Sequence, residues 1–317
     1  MTIATPDLDK LAAAPEDILA RLFTPMNVDG VYGRSGRYED VVEGLGRYIS
    51  TLRPKRAEVF RFPPVVSRTL IEKSGYLKSF PHLLGCVCAL GTDVKRVTEA
   101  VAAFEAGGRW TDSAEASELV LAPAACYPVY PIAAERGAVG AEPLLFDVAS
   151  DCFRREPSKD IDRLQSFRMR EFVAVGAPQQ ISAFRDQWMA RAPEIAADLG
   201  LTHRIDAASD PFFGREGQMV GRFQTANALK FEMLIPVRST EKPTACMSFN
   251  CHREHFGEVW GLKTADGELA HTACVAFGID RLAVALFARH GVEAEGWPQA
   301  VRGKLGLSSP GVDQTFS

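Results

Sequence analysis

The spacing of apolar side chains predicts helices in the first third of the chain. From Asp7 to Phe23, Leu8, Leu11, Ile18, Leu19 and Leu22 recur at helical spacing, with an interruption near Pro15. Asn27 to Arg37, rich in Gly, Asp and Ser, reads as a loop. Tyr38 to Leu52 carries Val41, Val42, Leu45, Tyr48 and Ile49 on one face and is stopped by Pro54. Glu58 to Phe62 is a short strand leading into Pro63-Pro64, and Val66 to Ser74 a short helix. Thr92 caps a further amphipathic helix through Val94, Val97, Val101 and Phe104, ending at Ala106. From Leu119 to Ile132 the pattern turns to strand and loop, punctuated by three prolines.

In the middle of the chain the period becomes that of a hairpin. Ser150 to Glu156 and Arg163 to Gly176 form two arms joined by a polar loop. Strand side chains alternate between faces. Cys152, Arg154 and Glu156 therefore share one side of the first arm, and Phe167, Met169, Glu171, Val173 and Val175 one side of the second. The carboxylate in that apolar row, Glu171, is costly unless a cation, a metal or several donors meet it. A structural Arg–Glu pair would satisfy it as well as a functional partner. Ile181 to Leu199 is helical and Thr202 to Asp206 a strand; Asp210 to Ala228 has no clean period and reads as an exposed helical or mobile insertion. Phe231 to Val237, Ala245 to Asn250, Val259 to Leu262 and Glu268 to Phe277 read as strands, Gly278 to His290 as a helix rising from the last of them, and Ser308 to Ser317 as a disordered polar tail. Strands joined as hairpins, with helices irregularly interspersed, imply an α+β fold built on an antiparallel sheet flanked by helices, not a parallel βαβ wind.

Composition narrows the classes. The chain has 317 residues, 46% hydrophobic and 24% charged, enough for a sizeable core. A net charge of -4 provides no basic field for strong, sequence-independent nucleic-acid binding. Seven scattered cysteines do not form a secreted disulfide framework, and no apolar run approaches the ~20 residues of a membrane span. The N-terminus lacks a basic segment followed by an apolar run, so a soluble cytoplasmic protein with reduced thiols is expected.

No glycine-rich phosphate loop follows a strand, so phosphate binding would have to use arginines. Arg154, Arg163 and Arg281 are candidates because guanidinium forks suit phosphate geometry, and Arg281 sits in the first turn of the last helix. Ala270, Thr272, Cys274 and Ala276 put only small side chains on one strand face, against which a helix or a ligand could lie. Cys86 with Cys88, and Cys246 with Cys251, lack the usual Cys-x-x-Cys spacing; His252 and His255 suit a supporting or solvated role better than ligation.

Taken together, these residues match a family. Phe153-Arg154-Arg155-Glu156, followed by Arg163 and Phe167, resembles motif 2 of class II aminoacyl-tRNA synthetases, and Gly278-Ile279-Asp280-Arg281-Leu282 with its apolar helix resembles motif 3. Phe62-Pro63-Pro64-Val65-Val66 through Gly75-Tyr76-Leu77-Lys78-Ser79-Phe80-Pro81, and Leu121-Ala122-Pro123-Ala124-Ala125-Cys126, resemble stretches of the seryl enzymes; the resemblance spans Glu58 to His290. Two departures matter. Where bacterial seryl enzymes have a glutamate that holds the substrate amine, this chain has Cys126, and Cys126, Glu171 and Cys274 fall where the methanogen-type seryl enzymes carry three zinc ligands. In addition, about sixty residues without a long coiled-coil pattern precede the catalytic core in place of a tRNA-binding domain. In this combination the chain is similar to the bacterial amino acid:[carrier protein] ligases.

The resemblance implies a class II synthetase-like domain over residues 58–305, preceded by a helical segment 1–57, interrupted by a small helical insertion about 207–230 and followed by a tail 306–317. It implies ATP with Mg2+ bound by Arg154, Glu156, Arg163, Phe167, Ser248, Asn250 and Arg281, with Arg154 and Arg281 acting on the phosphates. One Zn2+ per chain would sit on Cys126, Glu171 and Cys274 and hold the amine of a small amino acid, glycine or alanine. The acceptor would be the phosphopantetheine thiol of a carrier protein, docked near Arg215 and Arg222, and the enzyme a homodimer that uses no tRNA and touches no membrane. The alternatives are an atypical seryl-like aminoacyl-tRNA synthetase, and a catalytically inactive paralogue acting as a binding or regulatory module.

Overall fold

The structure, a computed structural model, describes residues 11–307, so the start of the first expected helix and the tail 308–317 lie outside the described residues. Helix α1 (Pro15–Leu22) begins at Pro15 instead of being interrupted there, because the first helical position leaves its amide unpaired anyway. The expected loop 27–37 contains a hairpin, β1 (Phe23–Val28) and β2 (Val31–Arg34), turning through Gly30 at φ 78°. Its strands are short and mostly solvent-facing, so no apolar alternation marked them. Ser35 caps α2 (Gly36–Leu52), which buries Val41, Val42, Leu45, Tyr48 and Ile49 as their period requires. After β3 (Glu58–Arg61), the segment expected as a helix from Val66 opens with a strand, β4 (Val65–Ser67), before α3 (Arg68–Lys73) and α4 (Tyr76–Ser79). Beyond β5 (Cys86–Ala89), helix α5 (Val94–Glu105) is capped by Asp93, not Thr92, through a 2.9 Å bond from Lys95 N–H. Among the described residues nothing covers its apolar stripe: Val94, Val101 and Phe104 are exposed and only Ala100 of the helix is buried. β6 (Glu115–Leu121) leads to α6 (Val129–Glu135), where strand and loop were expected.

The hairpin foreseen in the middle of the chain is β7 (Leu144–Phe153) paired with β8 (Ser166–Gly176), with Cys152 opposite Phe167. Its first arm starts earlier than expected and ends at Phe153, so Arg154 and Glu156 lie in the connecting loop and not on the strand face beside Cys152. α7 (Pro178–Asp198) and β9 (Arg204–Ala207) follow, and the aperiodic insertion proves to be a regular helix, α8 (Gly214–Ala226). Next come β10 (Lys230–Ile235), β11 (Thr244–Arg253), α9 (His255–Trp260), β12 (His271–Gly278), α10 (Ile279–His290) and α11 (Gln299–Leu305). Val259 to Leu262, expected as a strand, is the end of α9 and its left-handed Gly261 cap, a helix too short to show a period.

Seven strands form one sheet in the order β3-β7-β8-β12-β11-β10-β9, antiparallel except for β3 beside β7. β4, β6 and β5 form a separate three-stranded sheet. The central strands β8 and β12 are buried on both faces, which is why their sequences read as apolar runs. On one face Phe172, Val275 and Phe277 pack with α2, α7 and α10 in the largest core; on the other, Val173, Val175 and Cys274 pack with α6 and α9. The small-residue face of β12 is explained at one end by α9: a Cβ on Gly257 would come within 2.2 Å of Ala270 O. At the other end Cys274 and Ala276 border a cavity.

Buried charge ties the layers together. Asp147 on β7 is fully buried and accepts from Arg170 Nε at 2.7 Å and Arg53 Nε at 2.7 Å, with Arg61 at 3.3 Å. These guanidiniums hold its carboxyl below the usual range despite the opposing effect of burial.

Candidate active site

The cavity, about 610 Å3, opens on the sheet face that carries Phe167, Glu171 and Cys274; α4, α8 and the segment after β11 supply its other walls. Arg154, Glu156, Phe167, Ser248, Asn250 and Arg281 line it, together with Cys126, Glu171 and Cys274. Arg163 does not line it, and Arg215 and Arg222 lie on the exposed surface of α8. Residues of four distant segments thus meet in one space.

Sheet register explains the acidic cluster. Glu171 on β8 pairs with Ala276 and Cys274 on β12 pairs with Val173, so Glu171 and Cys274 lie diagonally on one face. Cys126 arrives from the loop before α6, and that loop is fastened to the strand: Ala125 N–H and Cys126 N–H both donate to Glu171 Oε1, at 2.9 and 3.0 Å. The two sulfurs and a carboxylate oxygen lie within 4.8 Å of one another, all buried. Burial pushes the Glu171 carboxyl up against the hydrogen bonds it accepts, and the hydrogen bond to Cys126, followed by burial, pushes the Cys274 thiol well up. Three acids crowded into an apolar shell, with no arginine or lysine bonded to Glu171 among the described residues, fit a divalent cation with a fourth position open.

Asn250 also lines the cavity; its Nδ2 donates to Cys274 Sγ at 3.3 Å and to Ser248 Oγ at 3.0 Å. His252 is buried beside the same sulfur, with Nδ1 3.0 Å from Thr272 Oγ1 and Nε2 3.8 Å from Cys274 Sγ. His255, further out, lies 3.4 Å from Ser74 O.

The basic half of the site is pre-set by backbone carbonyls. Arg154 Nε donates to Pro123 O at 3.0 Å, and its guanidinium carbon stands 5.5 Å from the Phe167 ring centroid. Arg281 donates to Asp162 O at 2.9 Å and Ala245 O at 3.0 Å; burial lowers its pKa. Arg163 forms a 2.7 Å ion pair with Glu156. Beneath these groups Asp280, between Ile279 and Arg281, accepts from Arg168 Nη2 at 2.7 Å, from the Arg168 backbone N–H and from Tyr38 Oη at 3.0 Å. Arg168 also grips Glu39.

Asp210 and Lys230 were not foreseen as site residues. Lys230 is buried on the cavity wall between Asp210 at 2.5 Å and Glu232 at 3.1 Å, and Gln224 of α8 donates to Asp210 at 2.8 Å. No motif or period marks them, because they meet only when α8 folds over β10.

No protein-family model matches the chain. It is 60% identical over 304 residues, covering 96% of this chain and 93% of the relative, to Amino acid--[acyl-carrier-protein] ligase 1 of Bradyrhizobium diazoefficiens. It is 30% identical over 195 residues, 57% of this chain and 37% of the relative, to the type-2 serine--tRNA ligase of Methanopyrus kandleri. The structure of M. kandleri SerRS, solved in complex with A. aeolicus tRNASec, superposes with a TM-score of 0.78 at 20% identity, covering 98% of this chain and 64% of that one, so the fold is that of a class II seryl-tRNA synthetase. With that fold, and with identity running through nearly the full length of both proteins, the chain belongs to the amino acid--[acyl-carrier-protein] ligases.

Proposed function

We propose that this cavity activates a small amino acid as its adenylate and passes the aminoacyl group to the phosphopantetheine thiol of a carrier protein. One juxtaposition supports this above the rest: the Arg154–Phe167–Arg281 group and the Cys126–Glu171–Cys274 group open into the same cavity. ATP enters with its Mg2+, the adenine lying on Phe167 under Arg281. Glu156, steadied by Arg163, accepts from the adenine amine. Arg154 and Arg281 offset the phosphate charge as the amino acid carboxylate attacks the α-phosphorus and pyrophosphate leaves. Cys126, Glu171 and Cys274 would hold a zinc ion, which would supply Lewis acidity toward the substrate amine. Glycine or alanine is the substrate on this reading. The carrier thiol then attacks the acyl carbonyl, a thioester forms and AMP departs.

Ser248 lines the wall next to Asn250, whose amide orients Cys274. Exposed Arg215 and Arg222, with Phe213 and Phe223 beside them on the α8 face, suit an acidic carrier protein. The class II fold suits a homodimer, and on this reading the enzyme works in the cytoplasm without tRNA. Among the described residues no helix is long and apolar enough to cross a membrane.

The test is amino-acid-dependent pyrophosphate exchange across the small amino acids, then transfer of labelled amino acid to a phosphopantetheinylated carrier and, separately, to total tRNA. Exchange followed by carrier loading is the expected result. Loading of tRNA alone, or no exchange with any amino acid, overturns the reading.

A further inference from the structure

The cavity wall facing the sheet holds a hydroxyl that none of these steps uses. Tyr76 opens α4 directly after Gly75, whose φ of 77° turns the chain into the wall, and is 4% exposed. Its ring is clamped. It stands edge-on to Tyr127 at 5.6 Å and tilted against Phe80 at 5.1 Å, and Phe80 in turn stacks at 5.0 Å on Phe212, ahead of α8. Rings packed on two sides cannot swing the hydroxyl out to solvent. Tyr76 Oη nevertheless has no hydrogen-bond partner among the described residues.

Two other clamped tyrosines show what the chain does where a hydroxyl is merely structural. Tyr38 Oη donates to Asp280 at 3.0 Å, and Tyr48 Oη to Asp198 at 2.9 Å. Tyr130 Oη also lacks a close hydrogen-bond partner among the described residues, but it faces the Cys126 thiol and Tyr130 does not line the cavity. A buried, unpaired hydroxyl is unfavourable, so a fixed one on the wall of a cavity suits an acceptor that arrives with a ligand. Burial pushes the Tyr76 pKa up to about 12, so the group keeps its proton at neutral pH and can donate. Of the charged groups that act on it, Arg154 is placed above at the phosphates and Glu156 at the adenine amine.

We infer that Tyr76 is a substrate-binding residue whose hydroxyl donates a hydrogen bond to an acceptor oxygen of the reactant held beside Arg154. The inference rests on the cavity being the activation site. Two reactants carry such an oxygen: the aminoacyl phosphate, through its phosphate or carbonyl, and the incoming pantetheine arm, through its amides.

Tyr76→Phe removes one oxygen and keeps the clamped ring. Thermal melting, pyrophosphate exchange and aminoacyl transfer to free pantetheine are measured on the variant and the wild type. The expected result is a Tm equal to or above that of the wild type, with kcat/KM lower by about 10–100-fold in one half-reaction, the range for a hydrogen bond to a charged or strongly polar group. Loss in exchange places the acceptor on the aminoacyl phosphate; loss confined to transfer places it on the thiol substrate. A lowered Tm means that the hydroxyl has a structural partner and overturns the inference, as does unchanged activity in both half-reactions. If the wild type exchanges and transfers and the variant matches it in both half-reactions, the inference alone falls. If the wild type shows no exchange, the proposed function falls with it.

Discussion

Asp280→Asn perturbs the joint between the two halves of the basic site. The carboxylate is 2% exposed and accepts from the Arg168 backbone N–H, from Arg168 Nη2 at 2.7 Å and from Tyr38 Oη at 3.0 Å, with Arg34 Nε at 3.4 Å. Asparagine keeps one acceptor and turns the other into a donor facing donors. Removing one member of a buried ion pair costs about 3–5 kcal/mol. Arg168 keeps Glu39, so the lower end, about 3 kcal/mol, is expected. With an unfolding entropy of about 2.1 cal/mol/K per residue over 317 residues, that loss lowers Tm by about 4–5 °C. Because Arg168 N–H adjoins Phe167 and Asp280 adjoins Arg281, the platform and the cap lose their common register. The KM for ATP in pyrophosphate exchange should rise while the KM for the amino acid stays near wild type. A Tm within about 1 °C of wild type would refute the reasoning about the buried pair; equal loss for both substrates would refute the reasoning about register.

Cys126→Ser should abolish stoichiometric metal, expected at about one zinc per chain by elemental analysis, and a variant that keeps its zinc would remove Cys126 from the ligand set. Asn250→Ala should keep the metal but weaken it by about 10–100-fold in a competition titration, since it removes a donor to a ligand and not a ligand; unchanged affinity would return Asn250 to the nucleotide. Asp147 titrates below its unfolded value near 3.9, so it stabilises the fold throughout the range above that value and loses this effect as pH falls through its lower folded pKa. Asp147→Asn should therefore be less stable than wild type at pH 7, with the gap closing below pH ~4; a gap independent of pH in urea titrations would contradict this.

How much of this was legible in the sequence depends on how each contact is made. Where one element carries its own pattern, reading succeeded: α2 buries the residues its period marks, and Phe167 to Val175 form the strand their alternation predicted. Glu171 stood out because a carboxylate interrupts an apolar row, yet its partners lie 45 and 103 residues away in sequence, so resemblance to a family and not spacing supplied them. Reading failed where tertiary contacts overrode local pattern. The β1–β2 hairpin and α9 are too short to display a period, and the stripe on α5 is periodic but uncovered among the described residues. Tyr76, Asp210 and Lys230 were invisible because nothing local distinguishes a tyrosine, an aspartate or a lysine that faces a cavity.

The short loop Pro123 to Cys126 is held at both ends, by Arg154 Nε on Pro123 O at 3.0 Å and by Glu171 Oε1 on the amides of Ala125 and Cys126. Backbone therefore sets the span between Arg154, proposed at the phosphate, and Glu171, proposed beside the amine, and backbone stretches little. On the proposed reading the loop fixes how far the amine sits from the carboxylate. Alanine and β-alanine have the same atoms, but β-alanine puts its amine one carbon further from its carboxylate. With both ends of the gauge fixed, pyrophosphate exchange should discriminate between these isomers even though the cavity has room for either.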